Sequence, residues 1–336
     1  MWRVSQSKRM VSNMKNTLVM KMNSNASTSN KRKAPEEVID SYKGNQPPSL
    51  KSKHLKSAKR ALIVRRIIVY TVLVLLTLLC VVPFYIMIIN STRANADIQK
   101  GFSFLPGDSF IENWKNLLSF SSIQIGTAIK NSLFISFSTA ILTCYFSALT
   151  AYGIYMYRFK GRNFAFMFIL FVMMIPSQIS AMGLVAIAYK INMVNTFIPL
   201  VVPAIASPVT FFYIKQYMES VLSKEIIESA RIDGASEIRI FHQMVLPIMK
   251  PALAVQFIFA FVSSWNNFFM PALILTDSGK QTIPLIFNLL RSSNPATFDL
   301  GVIYMLLTVA IVPLLIVYLV FSKMIISGLT AGSVKG

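Results

Sequence analysis

Six long apolar runs dominate the pattern of hydrophobic and polar positions, and a polar stretch separates each run from the next. Each run reaches the length of about 20 residues that a helix needs to cross a bilayer. The runs are too long and too uniformly apolar to be buried helices of a soluble domain. We therefore predict an all-α, polytopic membrane protein with six transmembrane helices. The predicted spans are residues 67–89, 126–152, 163–188, 196–217, 251–275 and 301–325.

The polar stretches predict the domain organisation. Residues 1–60 are rich in Ser, Asn and Lys and lack periodic apolar positions, so we expect a disordered, basic cytoplasmic tail. Residues 61–325 form the six-span domain, which includes a pair of cytoplasmic helices over 223–246. Residues 326–336 are expected to be a cytoplasmic C-terminal tail.

The placement of charge predicts the orientation in the cell membrane. Of the net charge of +20, residues 1–66 hold +13, from sixteen Lys or Arg and three acids. The loop 158–162, which follows the second span, carries three more cations, whereas the loops 91–125 and 276–300 balance their charges. Because basic residues flank the cytoplasmic ends of spans, both termini should be cytoplasmic. The charge therefore indicates a lipid bilayer rather than a nucleic acid as the partner.

The chemistry-bearing residues argue against catalysis within this chain. The predicted spans contain no Asp or Glu, and the two histidines, His54 and His242, lie outside them. No Walker-type phosphate loop and no zinc-ligand spacing is present, so we expect no catalytic residue, no metal and no cofactor. An ion-coupled carrier or a membrane-embedded enzyme would need intramembrane acids, histidines or metal ligands. Energy for solute movement should therefore enter from outside the bilayer.

A cluster of ionisable groups, residues 228–235, interrupts the apolar pattern after the fourth span. Ser223 is a candidate N-cap for a first helix, and Gly234 can take the left-handed conformation that ends it. A second helix, capped by Ser236, should end at Pro247. The two apolar faces are predicted to be Ile226, Ile227 and Ala230 on the first helix and Ile238, Phe241 and Val245 on the second. The element is either an ordinary amphipathic surface hairpin or a knob that fits a cleft on another protein.

The sequence of residues 228–235 is distinctive. Glu-Ser-Ala-Arg-Ile-Asp-Gly-Ala at 228–235, followed by Phe241, Leu246-Pro247 and Pro251, resembles the EAA loop of binding-protein-dependent ABC importer permeases. Ser229 replaces the first Ala of the family pattern, which exchanges one small residue for another. Matches to the carbohydrate-uptake branch extend the resemblance over 62–336, at Asn131-Ser132, Ala151-Tyr152, Met174-Ile175-Pro176, Trp265-Asn266-Asn267-Phe268 and 328–336.

The resemblance implies a type I ABC importer permease whose EAA loop docks on a cytoplasmic ATPase dimer. It implies ATPase-coupling roles for Glu228, Ala230, Arg231, Asp233 and Gly234. It also implies a C-terminal tail that reaches the ATPase through Gly332 and Lys335, although a short terminus of this kind can also simply fray.

The resemblance further implies a non-catalytic permease subunit of an ATP-driven sugar importer that works by alternating access. Its partners would be a second, homologous permease, the ATPase dimer, an extracytoplasmic solute-binding protein and a sugar or oligosaccharide. The alternative is an ABC permease for a non-sugar solute such as a peptide or a phosphate ester. Trp265, Asn266 and Asn267 are candidates for lining the solute path, although amides in spans also form hydrogen bonds between helices.

Overall fold

The structure is a computed structural model that describes residues 48–119, 124–292 and 299–333, with side chains over 62–119, 124–292 and 299–324. These residues form helices and connecting turns, and no strand is found among them. The α-helices are α1 (Pro48–Ser91), α2 (Asn95–Gln99), α3 (Phe110–Ser119), α4 (Ile125–Met156), α5 (Arg162–Met173), α6 (Ser177–Lys190), α7 (Ile198–Val201), α8 (Pro208–Val221), α9 (Lys224–Ile232), α10 (Glu237–Ile240), α11 (Leu246–Trp265), α12 (Phe269–Ile274), α13 (Ile283–Ser292) and α14 (Leu300–Ser333). Two 3₁₀ turns (Val202–Ile205 and Ser278–Lys280) and one π segment (Phe241–Val245) complete the list.

Within the described part of the chain, five helical segments are long and apolar enough to cross a membrane. They are Leu62–Ser91, Ile125–Met156, Ile198–Val221, Glu237–Trp265 and Leu300–Met324. The number rises to six, the number predicted, when the bent pair α5 and α6 counts as one span.

The third predicted span is broken, because α5 and α6 meet at an angle of 96°. The break lies at Pro176, which has no amide hydrogen to donate and disfavours the helical conformation of Ile175 before it. Pro176 itself adopts an extended backbone with ψ of 130°. The apolar pattern therefore located this span but not its bend.

Proline also divides the fourth span. The short helix α7 passes into the 3₁₀ turn Val202–Ile205, and α8 begins afresh at Pro208. The predicted span, residues 196–217, treated this stretch as one helix. Each proline removes one backbone donor, so the regular hydrogen-bond ladder cannot run through the whole segment.

The predicted ends of the first and last spans differ from the observed ones. Helix α1 begins at Pro48, so the last residues of the expected 1–60 tail are helical, while residues 1–47 lie outside the described residues. Residues 49–66 contain no Gly or Pro and many strong helix formers, and Pro is favourable at a helix start. At the other end, α14 continues to Ser333.

The chain divides into two units, Met1–Leu78 and Leu79–Gly336. In the first, the described side chains, residues 62–78, are exposed all along the helix. Exposed apolar side chains suit a helix that is surrounded by lipid or by partner helices.

The second unit contains two buried apolar clusters. One joins the first half of α4 to α13, α14 and the end of α11, around Phe261, Ile286 and Leu306. The other joins the second half of α4 to α8, α9 and the start of α11, around Ile214, Ile227 and Phe241. Helix α4 takes part in both clusters and is therefore the central helix of this unit.

Candidate functional site

The helix–turn–helix element, residues 223–246, begins with α9 and a sharp turn. The amide of Ala235 donates to the carbonyl of Ala230 at 3.0 Å, and the amide of Gly234 donates to Arg231 at 3.0 Å. This pair of hydrogen bonds is a Schellman motif, which needs a left-handed residue just past the helix end. Gly234 meets that need with φ of +81°. The predicted helix end at Gly234 is confirmed.

Capping differs between the two helices of the element. The hydroxyl of Ser236 accepts a hydrogen bond from the amide of Arg239, so the predicted cap of the second helix is confirmed. Ser223 stands at the N-cap position of α9, but its hydroxyl donates to the carboxylate of Glu225 instead of accepting from the backbone.

The second helix does not end at Pro247, which corrects the sequence prediction. Helix α10 passes through the π segment Phe241–Val245 into α11, which continues to Trp265. In a regular α-helix the ring of Pro247 would clash with the carbonyl of residue 243. The π segment just before Pro247 changes the hydrogen-bond spacing, and the helix accommodates the proline without ending.

The buried face of the element is partly as predicted. Ile227, Ala230, Phe241 and Val245 are buried in the second apolar cluster, together with Ile240. The predicted partners Ile226 and Ile238 are instead exposed, at 46% and 75%. Only one stripe of each helix faces the apolar cluster, so an isoleucine beside that stripe stays exposed.

An exposed carboxylate and two exposed isoleucines lie around the turn of the element. Glu228 and Ile232 lie four residues apart on one side of α9, and Ile232 is 86% exposed. Ile238 follows just beyond the turn. Among the residues that the structure describes, the Glu228 side chain has no hydrogen bond or ion pair. We call Glu228, Ile232 and Ile238 the docking face. Asp233 and Gly234, between the two isoleucines, are also exposed.

Arg231 points to a different set of residues. Its Nε lies 2.6 Å from Oε1 of Glu237, and a second nitrogen lies 3.3 Å from Oε2. These hydrogen bonds raise the pKa of Arg231, so the guanidinium stays charged. The hydroxyl of Tyr152 donates to Oε2 of Glu237 at 2.9 Å, and the ring of Tyr157 lies 5.4 Å from the guanidinium carbon. Burial, followed by the hydrogen bond with Glu237, raises the pKa of the Tyr157 hydroxyl.

A third tyrosine of the same segment holds the beginning of α9. The hydroxyl of Tyr155 donates to the carbonyl of Leu222 at 2.9 Å, and Nζ of Lys224 lies 5.0 Å from the centre of its ring. We call Tyr152, Tyr155 and Tyr157 the tyrosine clamp. Sequence reasoning missed the clamp, because these residues lie some 70 positions before the element they hold, and an aromatic residue at the end of a span has an ordinary interfacial meaning.

The candidate path residues lie at the C-terminal end of α11, whose N-terminal end joins the helix–turn–helix element. Trp265 is buried and its ring stacks on Phe261, with centroids 5.8 Å apart. Trp265 and the exposed Asn266 line a cavity of about 350 Å³ that also includes Phe287 and Asn288. The side-chain oxygen Oδ1 of Asn267, just before α12, accepts from the backbone amide of Met270 at 3.3 Å.

The remaining predicted residues can be located only in part. Gly332 lies within α14, and Lys335 lies outside the described residues. Ala230 is buried against the second apolar cluster. Among the described residues, no group of three or more His, Cys, Asp or Glu side chains could hold a metal ion.

Comparisons with known proteins give the chain its relatives. Residues 143–330 match the family described as "Binding-protein-dependent transport system inner membrane component". The arabinooligosaccharides transport system permease protein AraQ of Bacillus subtilis is 31% identical, over 81% of this chain and 97% of its own. The trehalose/maltose transport system permease protein MalG of Thermococcus litoralis is 31% identical, over 82% and 98%. A solved bacterial ABC transporter involved in the import of the acidic polysaccharide alginate shares the fold, with TM-score 0.68 and 21% identity over 79% of this chain and 97% of the other.

Proposed function

Because the chain belongs to the family of binding-protein-dependent transport system inner membrane components, we propose that it is the membrane-spanning subunit of an ATP-driven sugar importer. The similarity to an arabinooligosaccharide permease over nearly the whole length of that protein carries the proposal. The second relative, a trehalose/maltose permease, supports the same class of solute.

The docking face supports the ATP-driven part of the proposal. An exposed carboxylate beside two exposed isoleucines offers both a charged contact and apolar area to a cleft on an ATPase subunit. The chain carries no Walker-type loop of its own, so ATP would be hydrolysed by the partner. Movement of the ATPase dimer would then act on the element and drive alternating access across the spans. Gly332, in the last turn of α14, and Lys335, which lies outside the described residues, are proposed as further ATPase contacts.

The cavity beside Trp265 is proposed as part of the solute path. The amides of Asn266 and Asn288 can donate to and accept from hydroxyl groups, and the rings of Trp265 and Phe287 offer apolar walls. This combination suits a neutral sugar better than a charged solute. Asn267 is proposed to position α12, given its hydrogen bond to Met270.

The remaining partners follow from the same proposal. A second, homologous permease would complete the membrane pathway, and an extracytoplasmic solute-binding protein would deliver the sugar. The docking face must then be cytoplasmic, which agrees with the distribution of basic residues. Both termini would lie on that side.

Reconstitution of the complete complex tests this function. The complex is purified through a tag on this chain and placed in vesicles with its solute-binding protein, and ATP hydrolysis is measured with oligosaccharides, oligopeptides and glycerol phosphates. We expect oligosaccharides alone to stimulate hydrolysis and to be taken up. Stimulation by a peptide or a phosphate ester would replace sugar with the alternative solute class. Uphill transport by the purified chain alone, without an ATPase, would overturn the proposal entirely.

A further inference from the structure

Three separate elements meet around the tyrosine clamp. Tyr155 lies in the last turn of α4, Tyr152 lies about one turn before it, and Tyr157 directly follows the helix. Tyr155 holds the residues where α9 begins, through the Leu222 carbonyl and the Lys224 ammonium group. Tyr152 and Tyr157 hold the pair Arg231–Glu237, where α9 ends and α10 begins. The end of α4 therefore grips α9 at both of its ends.

The contacts at the two ends are directional. The apolar contacts of Ile227 and Ala230 would let α9 slide or turn on its neighbours, because hydrophobic burial has no preferred direction. The hydrogen bond from Tyr155 to Leu222, just before α9, and the bond from Tyr152 to Glu237, which also pairs with Arg231 of α9, are directional and restrain both ends of α9. A displacement of α9 must consequently displace the end of α4 or break these bonds.

Helix α4 carries any such displacement to its other end. It has 32 residues, which is about 48 Å at the usual rise per residue. Near its beginning, Nδ2 of Asn131 donates to the carbonyls of Gly279 at 3.1 Å and of Gln281 at 3.0 Å. The hydroxyl of the next residue, Ser132, accepts from the amide of Ile283 at 2.9 Å. The same helix thus holds α9 at one end and the loop 276–283 at the other.

We propose that the tyrosine clamp makes α4 the transmission rod of the transporter, which links the docking face to the loop 276–283 on the opposite side of the membrane. The proposal rests on the function proposed above and adds a path for the coupling. It assigns Arg231 a structural role within this chain, because the guanidinium holds the Glu237 carboxylate where it can accept the hydrogen bond from Tyr152. Glu228 and Ile232 remain the residues that meet the ATPase, and the clamp residues are positioning residues that do not touch it.

Removal of the clamp hydroxyl groups tests the proposal. In the variant Tyr152→Phe/Tyr155→Phe the rings remain and both hydrogen bonds are lost. We expect the ATPase subunit to co-purify as before, while sugar taken up per ATP hydrolysed falls about fivefold or more. Tyr213→Phe is the matched control, since this exposed tyrosine of α8 has no hydroxyl partner among the described residues.

The ion pair offers a second variant. Glu237→Gln removes the charge that holds Arg231 and should reduce the same ratio. Its control is Glu219→Gln, which breaks an ion pair of 2.6 Å with Lys215 inside the single helix α8. We expect uptake per ATP to stay near the unmodified value in this control, because the pair joins no separate elements.

Hydrogen exchange separates transmission from a merely structural role. In the unmodified complex, ATP with vanadate should change amide exchange both in α9 and over 276–283. In the Tyr152→Phe/Tyr155→Phe complex, the change in α9 should persist and the change over 276–283 should disappear. If the loop still responds and sugar per ATP is unaltered, the clamp proposal is wrong. Failure of the unmodified chain to bind an ATPase would instead defeat the proposed function.

Discussion

At the scale of single residues, the site depends on a glycine that the sequence predicts and on exposed isoleucines that it does not. Gly234 could be predicted, because the left-handed backbone that ends α9 strongly favours glycine. The exposure of Ile232 and Ile238 could not, because the sequence of a short helix does not tell which apolar residues face the core. Both kinds of position lead to measurable consequences.

The effect of a substitution at Gly234 should depend on how readily the new residue adopts a left-handed backbone, and not on the size of its side chain. A Cβ added there meets nothing within 4 Å, so the cost arises from the positive φ, about 1–2 kcal/mol for an ordinary residue. We expect Gly234→Val to lower the Tm of the purified complex and weaken ATPase binding, and Gly234→Asn to do so much less. Gly183→Ala, which also has open space but lies inside α6, is the control and should be nearly neutral. Equal effects of Val and Asn at position 234 would contradict the argument.

Ile232 should act as an apolar anchor for the ATPase. Burial of an isoleucine side chain contributes about 1.5–3 kcal/mol, which is roughly 10- to 100-fold in affinity. We therefore expect Ile232→Asp to abolish co-purification of the ATPase subunit while the chain still inserts into the membrane. Ile111→Asp places the same charge on an exposed isoleucine of α3 and should leave co-purification unchanged. Retention of the ATPase by Ile232→Asp would remove the docking face from the proposed function.

At the scale of elements, two prolines show how far the sequence could predict the helices. Pro176 ends α5 and forces a bend of 96°, whereas Pro247 lies in a helix that continues to Trp265. Pro247 follows the π segment Phe241–Val245, and the apolar pattern gives no sign of that segment. The lengths of the apolar runs therefore predicted the spans, and local backbone geometry decided where their helices are interrupted.

The loop 276–283 should depend on Asn131 for its fixed position. Asn131→Leu removes two hydrogen bonds to loop carbonyls, at a cost of about 1–3 kcal/mol. We expect faster amide exchange over 276–283 and a lower Tm. The control Thr127→Val changes a half-buried residue one turn earlier, whose hydroxyl bonds only Gln124 within the described chain. Unchanged exchange in the Asn131→Leu protein would show that other contacts, such as Asn195 with Thr276 and Asp277, hold the loop by themselves.

At the scale of the whole molecule, the candidate site combines a local motif with a distant support. The docking face lies within residues 228–238, so the prediction that an ATPase binds there rests on a single stretch of sequence. The hydrogen bond from Tyr152 to Glu237 joins residues 85 positions apart, and only the folded chain brings them together. Orientation is the other property of the whole molecule, and it rests on the excess of basic residues near the N-terminus.

Cysteine labelling in intact cells tests the orientation. In a chain with Cys80→Ala and Cys144→Ala, single cysteines are introduced as Lys115→Cys in α3 and as Glu225→Cys in α9. Both positions are exposed in the structure. A membrane-impermeant reagent should label residue 115 in intact cells and residue 225 only after permeabilisation, with the cysteine-free chain as the blank. The reverse pattern would invert the topology and place the docking face away from any cytoplasmic ATPase.

The π segment Phe241–Val245 has an evolutionary consequence. A π turn accommodates one residue more than a regular helical turn, so one position in this segment is surplus to the α-helical count. A descendant gene that lost a single codon here would keep a continuous helix and the unchanged span after it. Because the π turn absorbs its surplus residue locally, the helix before the deletion would keep nearly the same orientation relative to that span. A lineage could therefore lose this residue and still present Ile238 in the same direction, whereas the same deletion within the regular part of α11 would rotate everything before it by about 100°.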